Sequence, residues 1–185
     1  MKVILMASIV MVCFASQVLA QGTKKVEEPE FIGVFFGLGE GGTLRQLERQ
    51  TPEQKIKVKA LGFGGGEGFL QIKGEQSSIR YRANEKIAFV VRVASQQTDP
   101  VSIIQFFRFE PFKGVRRLML AKVGSIGISS KTTAGQSAIS FDAAKYGESS
   151  FKVVPAYLLT PGEYCLSGPG TADGFCFGID AATIQ

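Results

Sequence analysis

The chain has 185 residues, a net charge of +5, 45% hydrophobic and 20% charged residues, and neither histidine nor tryptophan. This length corresponds to one domain or two very small ones, and the composition is globular rather than disordered. The weak positive charge argues against a dedicated nucleic-acid-binding protein. Without histidine, Ser-His-Asp and Cys-His catalytic arrangements are excluded and the commonest zinc ligand is missing, so we expect no metal site and no cofactor.

The first twenty residues have the pattern of a secretory signal peptide. Lys2 supplies a positive start, residues 3–14 form an apolar run, and Val18-Leu19-Ala20 precedes Gln21 as a cleavage site requires. The run is too short for a membrane span. We therefore predict a signal peptide over residues 1–20 and an exported mature chain, periplasmic or at the cell surface, without a transmembrane segment.

Residues 21–30 are polar and predict a flexible lead-in to a single domain over residues 31–185. From residue 31 onward, short segments rich in Val, Ile, Phe and Tyr alternate with Gly, Pro, Ser and Asn, which is typical of strands and turns. The predicted strands are residues 31–36, 55–60, 68–73, 78–83, 86–94, 101–109, 115–123, 138–142, 151–159, 163–167 and 175–179. Only residues 44–50 and 142–146 favour a helical turn. The pattern predicts an all-β fold, an antiparallel β-sandwich of about ten short strands, with a β-barrel as the alternative.

Two of these strands have informative side-chain patterns. Lysine alternates with an apolar residue throughout residues 55–60, so we expect a solvated lysine face and a buried face that holds Ile56 and Val58. Residues 101–109 are apolar on both sides apart from Gln105 and Arg108. They predict a central strand that is covered on both faces.

Two glycine-rich segments follow predicted strands. Residues 37–42 (GLGEGG) match G-x-G-x-x-G, but no helix and second parallel strand follow, as a dinucleotide site requires. Residues 62–68 (GFGGGEG) lack the Gly-Lys-Ser/Thr ending of a P-loop. We expect a hairpin loop and a mobile inter-strand loop, and both are candidate binding loops. Their glycines are Gly37, Gly39, Gly42, Gly62, Gly64, Gly65, Gly66 and Gly68.

Basic residues on the predicted strands leave two interpretations open. A basic face would attract an anionic polysaccharide, lipid head groups or an acidic partner. The pattern favours instead an ordinary solvated face, on which lysines protect an edge strand from unwanted pairing. The candidate face consists of Lys55, Lys57, Lys59, Arg80 and Arg82, extended by Arg92, Arg116, Arg117 and Lys122.

The C-terminal region predicts a disulfide-bonded hairpin. Cys165 and Cys176 are the two cysteines that remain after signal removal, and an even number in an exported chain favours a disulfide. Residues 160–163 (TPGE) fit a type II turn before the first strand of the hairpin. Strand alternation puts both sulfurs on one face of this antiparallel pair. The opposite face, directed at the core, carries Tyr164, Leu166, Phe175, Phe177 and Ile179.

The same region resembles a known group of proteins. LTPGEYCL and GFCFGID, at residues 159–166 and 174–180, are similar to the closing hairpin of uncharacterised exported bacterial proteins. In these, PGEY is followed by a Phe-x-Phe-Gly-hydrophobic-Asp strand, and residues 31–37 (FIGVFFG) resemble their opening strand. The resemblance implies a β-rich domain in a bacterial envelope or secreted setting, and it transfers no catalytic residue.

From these observations we expect a non-enzymatic interaction module of the bacterial envelope or cell surface. It would bind an envelope protein or an anionic surface polymer through an edge strand or the glycine loops. One alternative is a glycan hydrolase that uses carboxylates, although the acidic residues are scattered and show no pair. The other alternative is a carrier of a small apolar ligand, held inside a barrel lined by phenylalanine.

Overall fold

The computed structural model describes residues 26–58, 65–123, 130–132 and 134–182. The predicted signal peptide and its cleavage site lie outside the described residues, as do Lys59, Gly62 and Gly64. In the part of the chain that is described, no helix has the length and apolar character needed to cross a membrane.

The prediction of an all-β fold is confirmed, since strands dominate the described residues. Helical structure there is limited to short segments such as the helix α1 (Pro100–Ile103). The strands are β1 (Phe35–Leu38), β2 (Leu44–Gln46), β3 (Glu48–Gln50), β4 (Glu53–Val58), β5 (Gly66–Lys73), β6 (Arg80–Arg82), β7 (Phe89–Arg92), β8 (Gln105–Phe112), β9 (Val115–Val123), β10 (Ser130–Thr132), β11 (Phe141–Tyr146), β12 (Ser150–Pro155), β13 (Gly162–Ser167) and β14 (Gly174–Asp180).

The strands form two sheets, and the second sheet curls. The first sheet has the order β11-β12-β7-β1-β2, and the second has the path β3-β14-β13-β8-β9-β5-β4, with β6 on β14 and β10 on β9. Curling turns the second sheet into a half-barrel. Its two ends approach each other because β3 and β4 are separated along the chain by only Thr51 and Pro52. Across the opening, Arg116 Nη2 on β9 lies 2.9 Å from Glu48 Oε1 on β3.

Three strands of the second sheet, β8, β13 and β14, are covered on both faces. One face packs against the first sheet in the main core, to which β8 contributes Phe106. The other face lines the inside of the half-barrel, where Phe109 packs with Ile72 and Leu118. The expectation of a doubly covered strand is therefore confirmed for β8.

The beginning of that predicted strand is wrong, because Pro100–Ile103 forms the helix α1. The side chain of Asp99 caps it by accepting a hydrogen bond from the amide of Val101, at 3.1 Å. An Asp-Pro pair at the first turn is a helix-start signal, which outweighs the strand propensity of the valine and isoleucine that follow.

The helical turns predicted over residues 44–50 and 142–146 are also wrong. Residues 44–50 form β2 and β3, and residues 142–146 belong to β11. In each case a neighbouring strand supplies the backbone hydrogen bonds: β1 for β2, β14 for β3 and β12 for β11. Pairing within a sheet has overridden weak local helix propensity.

The predicted buried face of residues 55–60 is not buried in the described part of this segment. Ile56 is 73% exposed and Val58 is 61% exposed. The reason is the position of β4, which is the last strand of the curled sheet. Side-chain alternation predicts that a strand has two different faces, but a face becomes buried only where a second layer of structure packs against it.

The disulfide-bonded hairpin is confirmed in register and orientation. Cys165 lies opposite Cys176 in the β13–β14 pair, and the two sulfurs are bonded. The five apolar side chains predicted for the other face all belong to the main core. Both cysteines pack into the cluster inside the half-barrel.

Residues 26–30 belong to the segment predicted to be a flexible lead-in, and the structure ties them to the domain. Glu28 accepts hydrogen bonds from the amides of Glu148 (2.7 Å) and Ser149 (3.0 Å) and from Ser150 Oγ (2.6 Å). Pro29 is buried. Residues 21–25 lie outside the described residues.

Candidate functional site

The inside of the half-barrel contains an apolar cavity of about 260 Å³. Leu70, Phe107, Phe109, Leu118 and Cys165 line its inner part, and they come from four strands that are brought together by the curl. No sequence signal marks these residues as a group, because each belongs to an ordinary alternating strand.

The opening of the cavity is polar and lies near the turn between β13 and β14. The lining there includes the polar residues Gln105, Ser167, Thr171 and Asp173, together with the exposed Ala172. Asp173 accepts hydrogen bonds from Thr51 Oγ1 and from the Nε of Arg49, each at 2.6 Å.

The electrostatic state of this opening follows from those contacts. The hydrogen bonds from Thr51 and Arg49 lower the pKa of Asp173, so its carboxyl group is ionised at neutral pH. The Arg49 side chain is 58% exposed. The opening therefore carries an ion pair whose cationic member extends into solvent.

The apolar face of β4 lies on the same side of the sheet as this cavity. In the β4–β5 pair, Ile56 lies opposite Gly68 and Val58 lies opposite Gly66. Directly opposed residues share a face of the sheet, and so does Leu70, two residues beyond Gly68. Because Leu70 lines the cavity, the exposed side chains of Ile56 and Val58 lie on the same inner surface. We call these five residues the inner strip.

The glycines of the inner strip leave open space beside the apolar side chains. Among the described residues, a Cβ atom added at Gly68 would meet no atom within 4 Å, and one at Gly66 would approach only the backbone oxygen of Lys57, at 3.4 Å. Gly66 and Gly68 were candidate binding-loop residues, and the structure places both in strand β5. Gly65, with a φ of 79°, precedes that strand.

The first glycine segment forms a hairpin loop, as predicted. It joins the antiparallel strands β1 and β2, with Leu38 opposite Leu44. Gly41 and Gly42 have φ values of 71° and 88°, which favour glycine. Gly37 lies within β1, where a Cβ would come 2.1 Å from Tyr81 Oη. Turn geometry and close packing thus account for these glycines, and an antiparallel strand stands where a dinucleotide site needs a helix.

The predicted basic residues do not share one surface. Lys55, Lys57 and Lys122 are exposed and lie on the outer face of the second sheet, where Glu67 is opposite both Lys57 and Lys122. Arg82 is exposed on β6, whereas Arg92 lies on the first sheet. The exposed lysines of β4 are therefore the part of the candidate face that is accessible beside the inner strip.

Two of the arginines are engaged in ion pairs inside the protein. Arg80 pairs with Glu163 and with Asp180, the latter at 2.6 Å. Arg116 is completely buried and donates hydrogen bonds to Glu48 (2.9 and 3.1 Å) and to the carbonyl oxygens of residues 73 and 74. Its Nη1 also lies 3.5 Å from Glu163 Oε2. These charges stabilise the junction of β3, β6, β9 and β13.

A second cleft, of about 320 Å³, lies on the outer face of the same sheet. Arg117 lies there with its guanidinium carbon 4.4 Å from the ring centre of Phe69 and 3.9 Å from that of Phe112. Glu67 and Glu110 line this cleft together. The glycan-hydrolase alternative stays a prediction, and substitution of these two carboxylates would test it.

Comparison of the chain with models of known protein families, with curated proteins and with solved structures gave no match. The similarity of the C-terminal hairpin to exported bacterial proteins therefore stays a prediction.

Proposed function

We propose that this protein is an exported, non-enzymatic interaction module that binds an extended segment of another envelope protein as an added strand on β4. The observation that carries this proposal is the exposure of all six residues of β4. As the terminal strand of its sheet, β4 pairs with β5 on one side. Such an edge offers backbone N–H and C=O groups to a further strand.

The side chains of β4 suggest the chemistry of the partner. Lys55 and Lys57 lie on one face, and Ile56 and Val58 lie on the other. A strand that alternates acidic and apolar residues would place its acids beside the lysines and its apolar side chains beside the inner strip. Lys55 already forms an ion pair with Glu53 (2.6 Å), but this pair is exposed. Exposed pairs contribute little free energy, so giving this one up for an acid of the partner would cost little.

The disulfide is consistent with export. Disulfides persist in oxidising compartments such as the periplasm and the extracellular space. The bond between Cys165 and Cys176 joins neighbouring strands at the centre of the fold. Together with the signal-like start of the chain, it supports a location outside the cytoplasm.

The test uses the mature protein and a labelled peptide that alternates glutamate and valine, with binding followed by fluorescence anisotropy. We expect saturable binding at physiological ionic strength. The double change Lys55→Glu and Lys57→Glu should weaken it about tenfold, because two favourable cross-strand pairs become repulsive. Lys86→Glu with Lys145→Glu is the matched control, since these exposed lysines lie away from β4.

A second peptide separates strand addition from charge attraction. It has the same sequence with a methyl group on every backbone nitrogen, so that neither of its edges can donate to a ladder of hydrogen bonds. We expect this peptide not to bind. Equal binding of both peptides would refute strand addition and indicate a surface for anionic polymers. In intact source cells, a photoreactive residue in place of Ile56 should then crosslink to one envelope protein.

A further inference from the structure

The cavity inside the half-barrel has the shape and lining of a site for an apolar ligand. Its inner part is apolar, and buried Phe109 and Leu118 close it at depth. Its volume of about 260 Å³ is near the lower end of small-molecule sites, which begin at roughly 300 Å³. The cavity alone therefore suits a small ligand or one end of a longer one.

The inner strip extends this space along β4 and β5. Ile56 and Val58 expose apolar surface, and Gly66 and Gly68 keep the floor between the strands free of side chains. Such a narrow apolar path suits a polymethylene chain better than a ring system. We infer that the half-barrel cavity and the inner strip together bind a single acyl chain, with its end inside the cavity.

The opening provides groups for the polar end of such a ligand. Gln105, Ser167 and Thr171 carry an amide and two hydroxyl groups, which both donate and accept hydrogen bonds. Arg49 holds Asp173 through its Nε, but its guanidinium carbon lies 5.9 Å from the ring centre of Phe175, a residue of the main core, so Arg49 is not one of the groups that line the opening. The amide and the hydroxyl groups suit the carboxylate of a free fatty acid or the ester group of a lipid. The proposal of acyl binding does not rest on strand addition at β4, although an acyl chain and a partner strand would both contact the inner strip.

The first experiment titrates the mature protein with a dansyl-labelled undecanoic acid and then displaces the probe with laurate. We expect one saturable site. Gly68→Val should weaken binding at least tenfold, because its side chain enters the inner strip while its Cβ meets no atom of the described residues within 4 Å. Lys55→Val is the matched control, because it adds a valine on the opposite face of β4, and it should leave binding unchanged.

Sedimentation with phosphatidylcholine vesicles distinguishes the two sources of the acyl chain. Displacement by laurate without vesicle binding supports a free fatty acid, and vesicle binding that is lost in Gly68→Val supports an acyl chain of a lipid. Binding of neither, or binding that Gly68→Val leaves unchanged, would overturn the inference. The change Lys55→Glu with Lys57→Glu should leave acyl binding intact, which separates this site from the peptide site.

Methyl NMR of the unaltered protein provides a test that does not depend on how any variant folds. Laurate should shift the methyl signals of Leu70 and Leu118, which line the cavity, and leave those of Val153 in the main core unchanged. Shifts that are absent at Leu70 and Leu118 would also overturn the inference.

Discussion

Arg116 provides the sharpest test of how this fold is held together. It is completely buried, and its guanidinium contacts the carboxylates of Glu48 and Glu163. Arg116→Met keeps much of the side-chain length and removes the charge together with its hydrogen bonds. We expect this change to lower the free energy of unfolding substantially, because it leaves two carboxylates without a buried cation.

The size of this loss in the free energy of unfolding depends on the contacts that Glu48 and Glu163 keep when Arg116 is replaced. Removing one member of a buried ion pair typically costs about 3–5 kcal/mol. Glu163 keeps its pair with Arg80 and a hydrogen bond from the amide of Ser77 (2.7 Å), and Glu48 keeps hydrogen bonds from Gln50 (2.6 Å) and from the Ser77 side chain. We therefore expect the lower end of the range, about 3 kcal/mol. For a domain of this size, that corresponds to a decrease in Tm of about 6–12 °C.

The assay is equilibrium unfolding in urea, followed by far-UV circular dichroism because the chain has no tryptophan. Arg117→Met is the matched control. Its guanidinium lies over two aromatic rings on the outer face, and the loss should be only about 1 kcal/mol. Equal losses for the two variants would refute the conclusion that Arg116 is held by a buried ionic network.

The pH dependence gives an independent check of the same contacts. Burial of Glu48 opposes its ionisation, but hydrogen bonds from Arg116, Ser77 and Gln50 outweigh this and lower its pKa below 4.5. The stabilisation is therefore complete above that value and is lost as the pH falls through the pKa of the folded state. We expect the difference between Arg116→Met and the unaltered protein to become smaller below pH 4.5.

Three further perturbations have defined outcomes. Replacing Cys165 and Cys176 by alanine opens a loop with a sequence separation of 11 and should lower the free energy of unfolding in urea by about 3 kcal/mol. Gly37→Ala should lower it by about 1–3 kcal/mol, because its Cβ would lie 2.1 Å from Tyr81 Oη. Glu28→Gln weakens three hydrogen bonds to the β11–β12 connection and should accelerate proteolysis within residues 26–30, as measured by mass spectrometry.

Each of these three predictions has a control experiment or a result that would contradict it. A reductant should destabilise the native protein but not the alanine double variant, and equal effects would contradict the assigned disulfide. Gly68→Ala should be tolerated where Gly37→Ala is not, because the Cβ at position 68 meets no atom within 4 Å in the part of the chain that the structure describes. Burial opposes ionisation of Glu28, but hydrogen bonds from Ser150 and two amides lower its pKa below 4.5. The difference in proteolysis should therefore disappear as the pH falls below that value, and a constant difference would contradict the role of the carboxylate.

Local sequence patterns were sufficient to predict the fold class and the most regular strands. Residues 115–123 were predicted as a strand with the bounds that the structure has. The turn before β13, the sulfur-bearing face of the hairpin and the five core side chains all follow from period-two alternation and from Pro-Gly chemistry. These properties depend on residues that are close in sequence.

The elements that were predicted wrongly show which properties the local sequence does not determine. Residues 44–50 have helix-forming side chains, yet they are strands because β1 and β14 provide backbone partners from distant parts of the chain. Arg116 alternates along its strand like any surface residue, and it is buried because β3 and β13 bring Glu48 and Glu163 to it. Neither outcome is encoded within a window of ten residues.

In the candidate site, too, the local sequence determines some properties and the tertiary structure determines others. Alternation along residues 55–60 determined that Ile56 and Val58 share a face and that the lysines lie opposite, whatever covers them. Only the tertiary structure decided that this face stays exposed and lies on the same side of the sheet as a cavity lined by Leu70, Leu118 and Phe109. The physical reason is the curl of the second sheet, because the enclosed space depends on how all its strands bend together and not on the pattern of any one strand.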